Sequence, residues 1–352
     1  MKSEEQKMKL VRTEDAVGQV LCHDITQIIP GVVKDAVFRK GHIVTKEDIP
    51  VLLSVGKENL YIWEKQEGML HENEAAEILR QICQGEHMHP SEVKEGKIEL
   101  IADCEGVLKI NTEKLNAVNN LGEMMIASRH GNFPVKTGDK IAGTRIIPLV
   151  IEEEKMQKAC EVAGKEPIFR ILPYQKKKAG IVTTGSEVYY HRIEDKFTPV
   201  VIEKLKECGV TEVKQIQCND DHEMIMEAIQ TLIEDGSDLI VCTGGMSVDP
   251  DDRTPLAIKN ACTEVVTYGA PVLPGAMFML AYCEKEGRQI PVMGLPGCVM
   301  YAKRTIFDLV LPRIMCDEKL HEKDFRLLGQ GGLCLSCPVC TFPNCGFGKG
   351  GY

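Results

Sequence analysis

Glycines, hydroxyls and carboxylates gather in three short segments of this chain, and cysteines gather in a fourth. The first segment is Thr183-Thr184-Gly185-Ser186-Glu187. The second is Thr243-Gly244-Gly245-Met246-Ser247-Val248-Asp249-Pro250-Asp251-Asp252, and the third is Gly294-Leu295-Pro296-Gly297. Glycine lets backbone approach a ligand closely, and N–H groups in such turns favour anions. Glu187, Asp249, Asp251 and Asp252 add carboxylates, and Asp221 stands in an Asp220-Asp221 pair ahead of a helix-like stretch. Mg²⁺ takes carboxylates together with phosphate oxygens, so this mixture suits a phosphorylated ligand held through Mg²⁺. The same aspartates also suit helix caps and turns. Thr184 and Ser247 can donate to phosphate oxygens or close local turns. His191 and Arg192, just after the first segment, sit within reach of a ligand anion or in solvent.

The fourth segment runs from Cys334 through Cys337 and Cys340 to Cys345, with spacing C-x2-C-x2-C-x4-C. Four thiols so close are spaced like metal ligands. Tetrahedral Zn²⁺ and a [4Fe–4S] cluster each accept four thiolates, and the spacing leaves that choice open. Unligated, such thiols would be an oxidation liability. The other eleven of the fifteen cysteines are scattered from Cys22 to Cys316. Most suit small core positions. Cys298, at the third segment, either packs as such a residue or lies near a helix N-terminus that would lower its pKa.

The elements that position the three segments follow from hydrophobic pattern. Apolar runs at 180–182, 238–242 and 290–293 precede them and read as short buried strands. Between them, helices are expected near 198–208, 252–261 and 298–310, and another, with Ile225, Ala228, Ile229, Leu232 and Ile233 on one face, follows Asp220-Asp221 as an N-cap; Gly209 and Gly236 act as stops. Strands alternating with helices of this length imply βαβ units and a parallel sheet. In such a sheet, loops at the carboxyl ends of strands line one ligand crevice.

Upstream, residues 9–84 read as an α+β domain. It has strands at 19–26 and 60–63, a helix at 46–55 ended by Gly56, and a helix at 71–84 with Ala75, Ile78, Leu79 and Ile82 at helical spacing. Residues 91–165 read as a β-rich domain. Its strands are expected at 99–102 and 107–110, its helices at 115–127 and 151–163, and a turn at Gly138. The α/β domain then spans 176–316, and the cysteine-rich tail spans 330–352.

Composition narrows the function. A net charge of −10 weighs against nucleic acid as a partner; the run Lys176-Lys177-Lys178 is too short to reverse this. The chain has no apolar run of membrane-spanning length, and its first ten residues are polar. A cytoplasmic protein is expected, in a reducing compartment where disulfides are rare.

In order and spacing, the three segments within 179–312 resemble the molybdopterin-binding domain of molybdopterin molybdotransferases, gephyrin included, and of molybdopterin adenylyltransferases. That family's loops read roughly T-G-D/N-E, G-G-x-S-x-G-x-x-D and G-L-P-G-N-P, with a D-D pair between the first two. Residues 9–64 more loosely resemble its N-terminal region. The resemblance implies a three-layer α/β domain binding molybdopterin or adenylylated molybdopterin in molybdenum cofactor biosynthesis or delivery. It implies cofactor contacts at Thr183, Thr184, Gly185, Ser186, Gly244, Gly245, Ser247, Asp249, Gly294, Pro296 and Gly297. Glu187, Asp221 and Asp252 would hold Mg²⁺ at a catalytic centre, with molybdate as co-substrate if the chain is a transferase. A homo-oligomer and a molybdoenzyme or biosynthetic partner are implied too. Three departures bear on this. Asp249 replaces a glycine, Cys298-Val299 replaces N-P, and a K-P-G-K-P segment appears as Leu273-Pro274-Gly275-Ala276-Met277 without either lysine. Lysines there would hold oxyanions by charge, so their loss favours pterin binding over metal insertion. A non-catalytic carrier or sensor that docks a molybdoenzyme is the alternative.

Overall fold

A computed structural model describes residues 9–29, 33–62, 67–247, 249 and 252–350. Trp63, Val248, Pro250 and Asp251 lie outside them. The chain divides into two compact units. One comprises residues 1–103, 109–129 and 137–171, and the other comprises 104–108, 130–136 and 172–352.

In the first unit, Lys9–Arg12 pairs antiparallel with Asn59–Ile62, and Ile25–Ile29 pairs with Val33–Phe38. Leu21, Ile25, Val44, Leu52 and Leu60 form a small core here. The strand expected at 19–26 is displaced; residues 20 and 21 make only isolated bridges. A four-stranded antiparallel sheet follows, in the order Met88–Pro90, Lys97–Ala102, Lys140–Ile146, Met124–Ser128. The helix Glu72–Cys83 buries Ala75, Leu79 and Ile82, as the spacing predicts. The helix expected at 115–127 instead spans Thr112–Asn119. Gly122 and Glu123 both take positive φ, which ends helical geometry and releases Met124–Ser128 to the sheet.

Elements of the second unit are numbered within it. They are β1 Lys178–Thr183, α1 Ser186–Tyr189, α2 Phe197–Glu207, β2 Glu212–Gln217, α3 His222–Glu234, β3 Leu239–Thr243, α4 Thr254–Ala261, β4 Glu264–Tyr268, β5 Met279–Lys285, β6 Arg288–Leu295, α5 Ile306–Met315 and α6 Glu322–Arg326. They form one six-stranded sheet in the order β2-β1-β3-β6-β5-β4. The first four strands are parallel, whereas β5 runs antiparallel to β6, and β4 to β5. This antiparallel extension lies outside the sequence expectation, which places one strand at 290–293. Its signal was Glu286-Gly287, a two-residue loop between apolar runs with φ of 52° and 77°, as two-residue hairpin loops require.

Both sheet faces are covered, which is why the central strands are uniformly apolar. Ile225, Ile229, Leu232 and Ile258 pack with Val182, Ile240 and Val292 on one side. Val201, Leu205, Phe307, Val310 and Ile314 pack with Ile181, Val241 and Met293 on the other. Strand β2 is an edge strand, largely exposed or half-buried. The helix expected at 298–310 is interrupted: a 3₁₀ turn spans Gly297–Met300, and α5 starts only after Thr305. Thr305 and Asp308 form a capping box there, which satisfies orphan donors at the new helix start.

The cysteine-rich end packs into this same unit. Phe347 is 4% exposed within its core, with Cys334, Phe342 and Cys345 against it. Phe133 belongs to the same core and lies 5.9 Å from the Phe342 ring. Aromatic burial thus draws residues 130–136 and the tail onto the α/β unit. Among the described residues, no helix is long and apolar enough to cross a membrane.

Candidate functional site

Sheet register brings the three glycine segments together. Thr183 of β1 pairs with Thr243 of β3, and Thr243 pairs with Leu295 of β6. All three segments therefore leave neighbouring parallel strands at their carboxyl ends, side by side.

Internal bonds set the shape of the first two loops. The Thr184 N–H donates to the Thr243 carbonyl at 2.8 Å, and the Thr184 hydroxyl donates to the same oxygen at 3.1 Å. Gly244, at φ +88°, lies so close that a Cβ would stand 2.4 Å from the Thr184 carbonyl oxygen. Gly245 is also at positive φ, and a Cβ there would stand 2.8 Å from the Thr254 hydroxyl. Gly185 takes φ +130°, open only to glycine, and the Glu187 carboxylate curls back toward it. Gly294 lies in β6, where a Cβ would meet Met246 at 2.5 Å. Glycine here serves close packing of loop on strand as well as access to a ligand.

Several of the expected contact residues also hold the loops together. The Thr183 hydroxyl is paired with Thr198 at 2.9 Å and accepts from Gln215 at 2.9 Å, and Thr184 is paired with Thr254 at 3.2 Å. Both hydroxyls brace the loop. Asp221 caps α3, accepting from the Met224 N–H at 3.0 Å. Its neighbour Asp220 reaches the first loop, accepting from the Ser186 N–H at 2.8 Å. Asp252 accepts from the Ser247 N–H at 2.7 Å, and the Asp252 N–H donates to the Asp249 carbonyl at 2.9 Å. The second loop is thus closed on itself by Asp252. Among the described residues, no group of three or more His, Cys, Asp or Glu side chains stands where one ion would be held. Asp221 and Asp252 each accept one backbone N–H through one carboxylate oxygen.

Three site residues escaped the sequence reading. Thr243 is 1% exposed at the meeting point of the loops, and its hydroxyl has no protein partner. Its signal was its place as the last residue of a buried strand before Gly-Gly. Asp220 was hidden because either aspartate of the pair could have been the cap. Tyr268 of β4 donates its hydroxyl to the Met246 carbonyl at 3.1 Å, and burial, then the Asp252 charge, raise its pKa.

Pro296, Gly297 and Cys298 form the third loop, and Pro296 and Cys298 line a groove of about 430 Å³ together with Pro274 and Gly275. Burial raises the Cys298 thiol above its ordinary pKa, outweighing a backbone hydrogen bond that lowers it. The tail cysteines are all free; Cys337 and Cys340 are exposed, and Cys334 and Cys345 are half-buried. They do not stand as a preformed metal tetrad.

Residues 180–315 match the family described as "Probable molybdopterin binding domain". The α/β unit carries a molybdopterin-binding domain of this family. Residues 10–64 match a second family, described as a domain of unknown function. A CinA-like protein of Mycobacterium sp. (strain MCS) is 35% identical over 85 residues, which is 24% of this chain and 20% of that protein. One from Mycobacterium avium (strain 104) is 34% identical over 95 residues, 27% and 22% of the two chains. The chain spans about a fifth of the length of the curated relatives it matches. Among solved structures, the tungsten cofactor synthesizing protein MoaB from Pyrococcus furiosus aligns with TM-score 0.31 and 22% identity, over 36% of this chain and 84% of that one. A putative molybdenum cofactor biosynthesis protein from Corynebacterium diphtheriae aligns with TM-score 0.34 and 14% identity, over 41% and 97%. In the molybdopterin-binding domain of this chain, the three loops are the ends of β1, β3 and β6.

Proposed function

We propose that the molybdopterin-binding domain binds molybdopterin or adenylylated molybdopterin across the three loops, in cofactor biosynthesis or delivery. The register that sets Thr183, Thr243 and Leu295 side by side carries this reading. It sets three segments distant in sequence side by side. Backbone at Gly185, Gly244 and Gly245 lets an anionic ligand approach without a side chain between, and the Thr243 hydroxyl waits for a polar partner. A buried hydroxyl without a partner costs about 1–3 kcal/mol, which a ligand atom or the water it carries would recover. Asp220 and Asp252 hold loops one and two by their backbone N–H groups, so the crevice is shaped before ligand arrives.

The lack of lysine at Leu273 and Ala276 favours binding and delivery over metal insertion. On this reading the chain hands on a pterin cofactor and inserts molybdate poorly by itself. The domain works as part of a homo-oligomer that meets a molybdoenzyme or biosynthetic partner, in the cytoplasm.

Thr243→Val tests the site. Valine removes the unpartnered hydroxyl at nearly constant shape, so the ligand-free protein should hold or gain stability, by about 1 kcal/mol. Affinity for molybdopterin in anaerobic calorimetry should fall about tenfold. Undiminished affinity would remove the three-loop crevice as the binding site.

A further inference from the structure

All four tail cysteines line a single cavity of about 610 Å³ beside the third loop. Cys334 lines a second space as well, the 430 Å³ groove that contains Pro296 and Cys298. We infer that Cys334, Cys337, Cys340 and Cys345 form the binding site of a [4Fe–4S] cluster seated in this cavity.

Both ends of the segment are fixed, and its middle is irregular. The Leu273 N–H donates to the Gly332 carbonyl at 2.8 Å, and the Cys334 N–H donates to the Leu273 carbonyl at 2.8 Å. Downstream, Phe347 is buried, and Gly348 lies so tightly against Leu309 that a Cβ would meet it at 2.5 Å. Residues 335–341 form neither helix nor strand. Leu335 and Val339 there are 78% and 76% exposed, unusual for apolar side chains on a segment with anchored ends. Binding a metal centre can supply the folding energy that such a segment lacks. The anchors keep all four thiols at the cavity.

Cysteine spacing and the cavity together favour a cluster over one ion. The run C-x2-C-x2-C has the spacing of bacterial ferredoxin ligands, whereas Zn²⁺ draws all its thiolates to about 2.3 Å from one point. A four-iron cluster gives each cysteine its own iron and so spans a wider set. The walls fit its charge and its need for a dry flank. Lys303 and Arg304 line the cavity, Lys303 donating to the Pro338 carbonyl at 3.1 Å and Arg304 lying 5.3 Å from the Phe342 ring centroid. A cluster with four thiolates is anionic, and nearby cations and apolar cover tune and stabilise such a centre. The Leu273–Leu333 bridge ties this site to the groove.

The test uses full-length protein, anaerobically, with ferrous iron and sulfide as the probe and no pterin present. The expected result is about four irons and four sulfides per chain, with a broad visible absorption that dithionite bleaches. Cys337→Ser with Cys340→Ser should abolish that absorption while the far-UV circular dichroism stays unchanged, since both residues are exposed. Cys160→Ser, at an exposed cysteine of the other unit, should retain it. One tightly held zinc per chain with iron excluded would overturn the cluster, as would iron uptake that survives the double substitution. Because no pterin is used, failure here leaves the three-loop reading untouched.

Discussion

Gly244→Ala should damage the second loop in a way that can be dissected into two costs. The residue sits at φ +88°, where an L side chain costs about 1–2 kcal/mol. Its new Cβ would also stand 2.4 Å from the Thr184 carbonyl oxygen and 2.7 Å from the Thr184 hydroxyl. Thr184 cannot retreat freely, because its N–H and hydroxyl both donate to the Thr243 carbonyl. Overpacking of this kind adds about 1–3 kcal/mol, so the total is about 2–5 kcal/mol. Gly209→Ala separates the two costs. Gly209 takes φ +85° in the same unit, but a Cβ there meets nothing within 4 Å. It should lose only the backbone term, about 1–2 kcal/mol. In urea, with a slope of about 2 kcal/mol per molar, the midpoint of the α/β unit should drop by about 1–2.5 M for Gly244→Ala and about 0.5–1 M for Gly209→Ala. Molybdopterin affinity should fall for the first and hold for the second. Equal midpoint losses for the two variants would refute the argument that loop and strand are locked at Thr184.

The two aspartates of the Asp220-Asp221 pair should behave differently. Asp221→Ala should cost about 1 kcal/mol of stability through the lost α3 cap and leave ligand affinity in calorimetry unchanged, whereas Asp220→Ala should weaken binding by freeing the Ser186 N–H; a larger affinity loss for Asp221→Ala would reverse the assignment. Glu72, buried in the first unit, has its carboxyl pushed up from 4.5 to about 7 by burial, opposed by Arg145 and assisted by Glu95. The folded state therefore holds this proton to higher pH than the unfolded state does, and stability falls as pH rises from about 5 to 7. Glu72→Gln should flatten that decline in denaturant titrations; parallel pH profiles for the two proteins would exclude Glu72 as its source.

The residues that position the site were legible because strand pattern and loop chemistry agreed. Three apolar runs each ended in glycine, and buried parallel strands place such ends together by register alone. Less legible was how each polar group would be used. Asp220 and Asp221 are chemically identical, and only the start of α3 at His222 decides which of them caps it. Thr183 and Thr184 read as ligand donors, yet Thr198, Gln215, Thr254 and the Thr243 carbonyl, distant in sequence, take their hydroxyls. Strand β5 was hidden because Phe278–Cys283 is apolar throughout, and a run without alternation does not distinguish strand from helix. The tail's attachment was invisible for a further reason: its partners Phe133 and Leu273 lie about sixty residues or more upstream, and nothing local announces them.

The exposed position of β2 has a consequence for how the protein avoids its own copies. A strand at the rim of a sheet offers a row of main-chain donors and acceptors on which a foreign strand can grow. Here the side chains on that rim are already engaged. Glu212 reaches Lys178 at 3.0 Å, Lys214 reaches Asp235 at 3.3 Å, and Gln215 donates to Thr183, Asp195 and Thr198. An arriving strand would have to dislodge ion pairs and meet charge at alternate positions, where an aggregating sheet needs apolar contact. The rim is guarded by polar side chains held to their own neighbours, and the sheet ends at six strands.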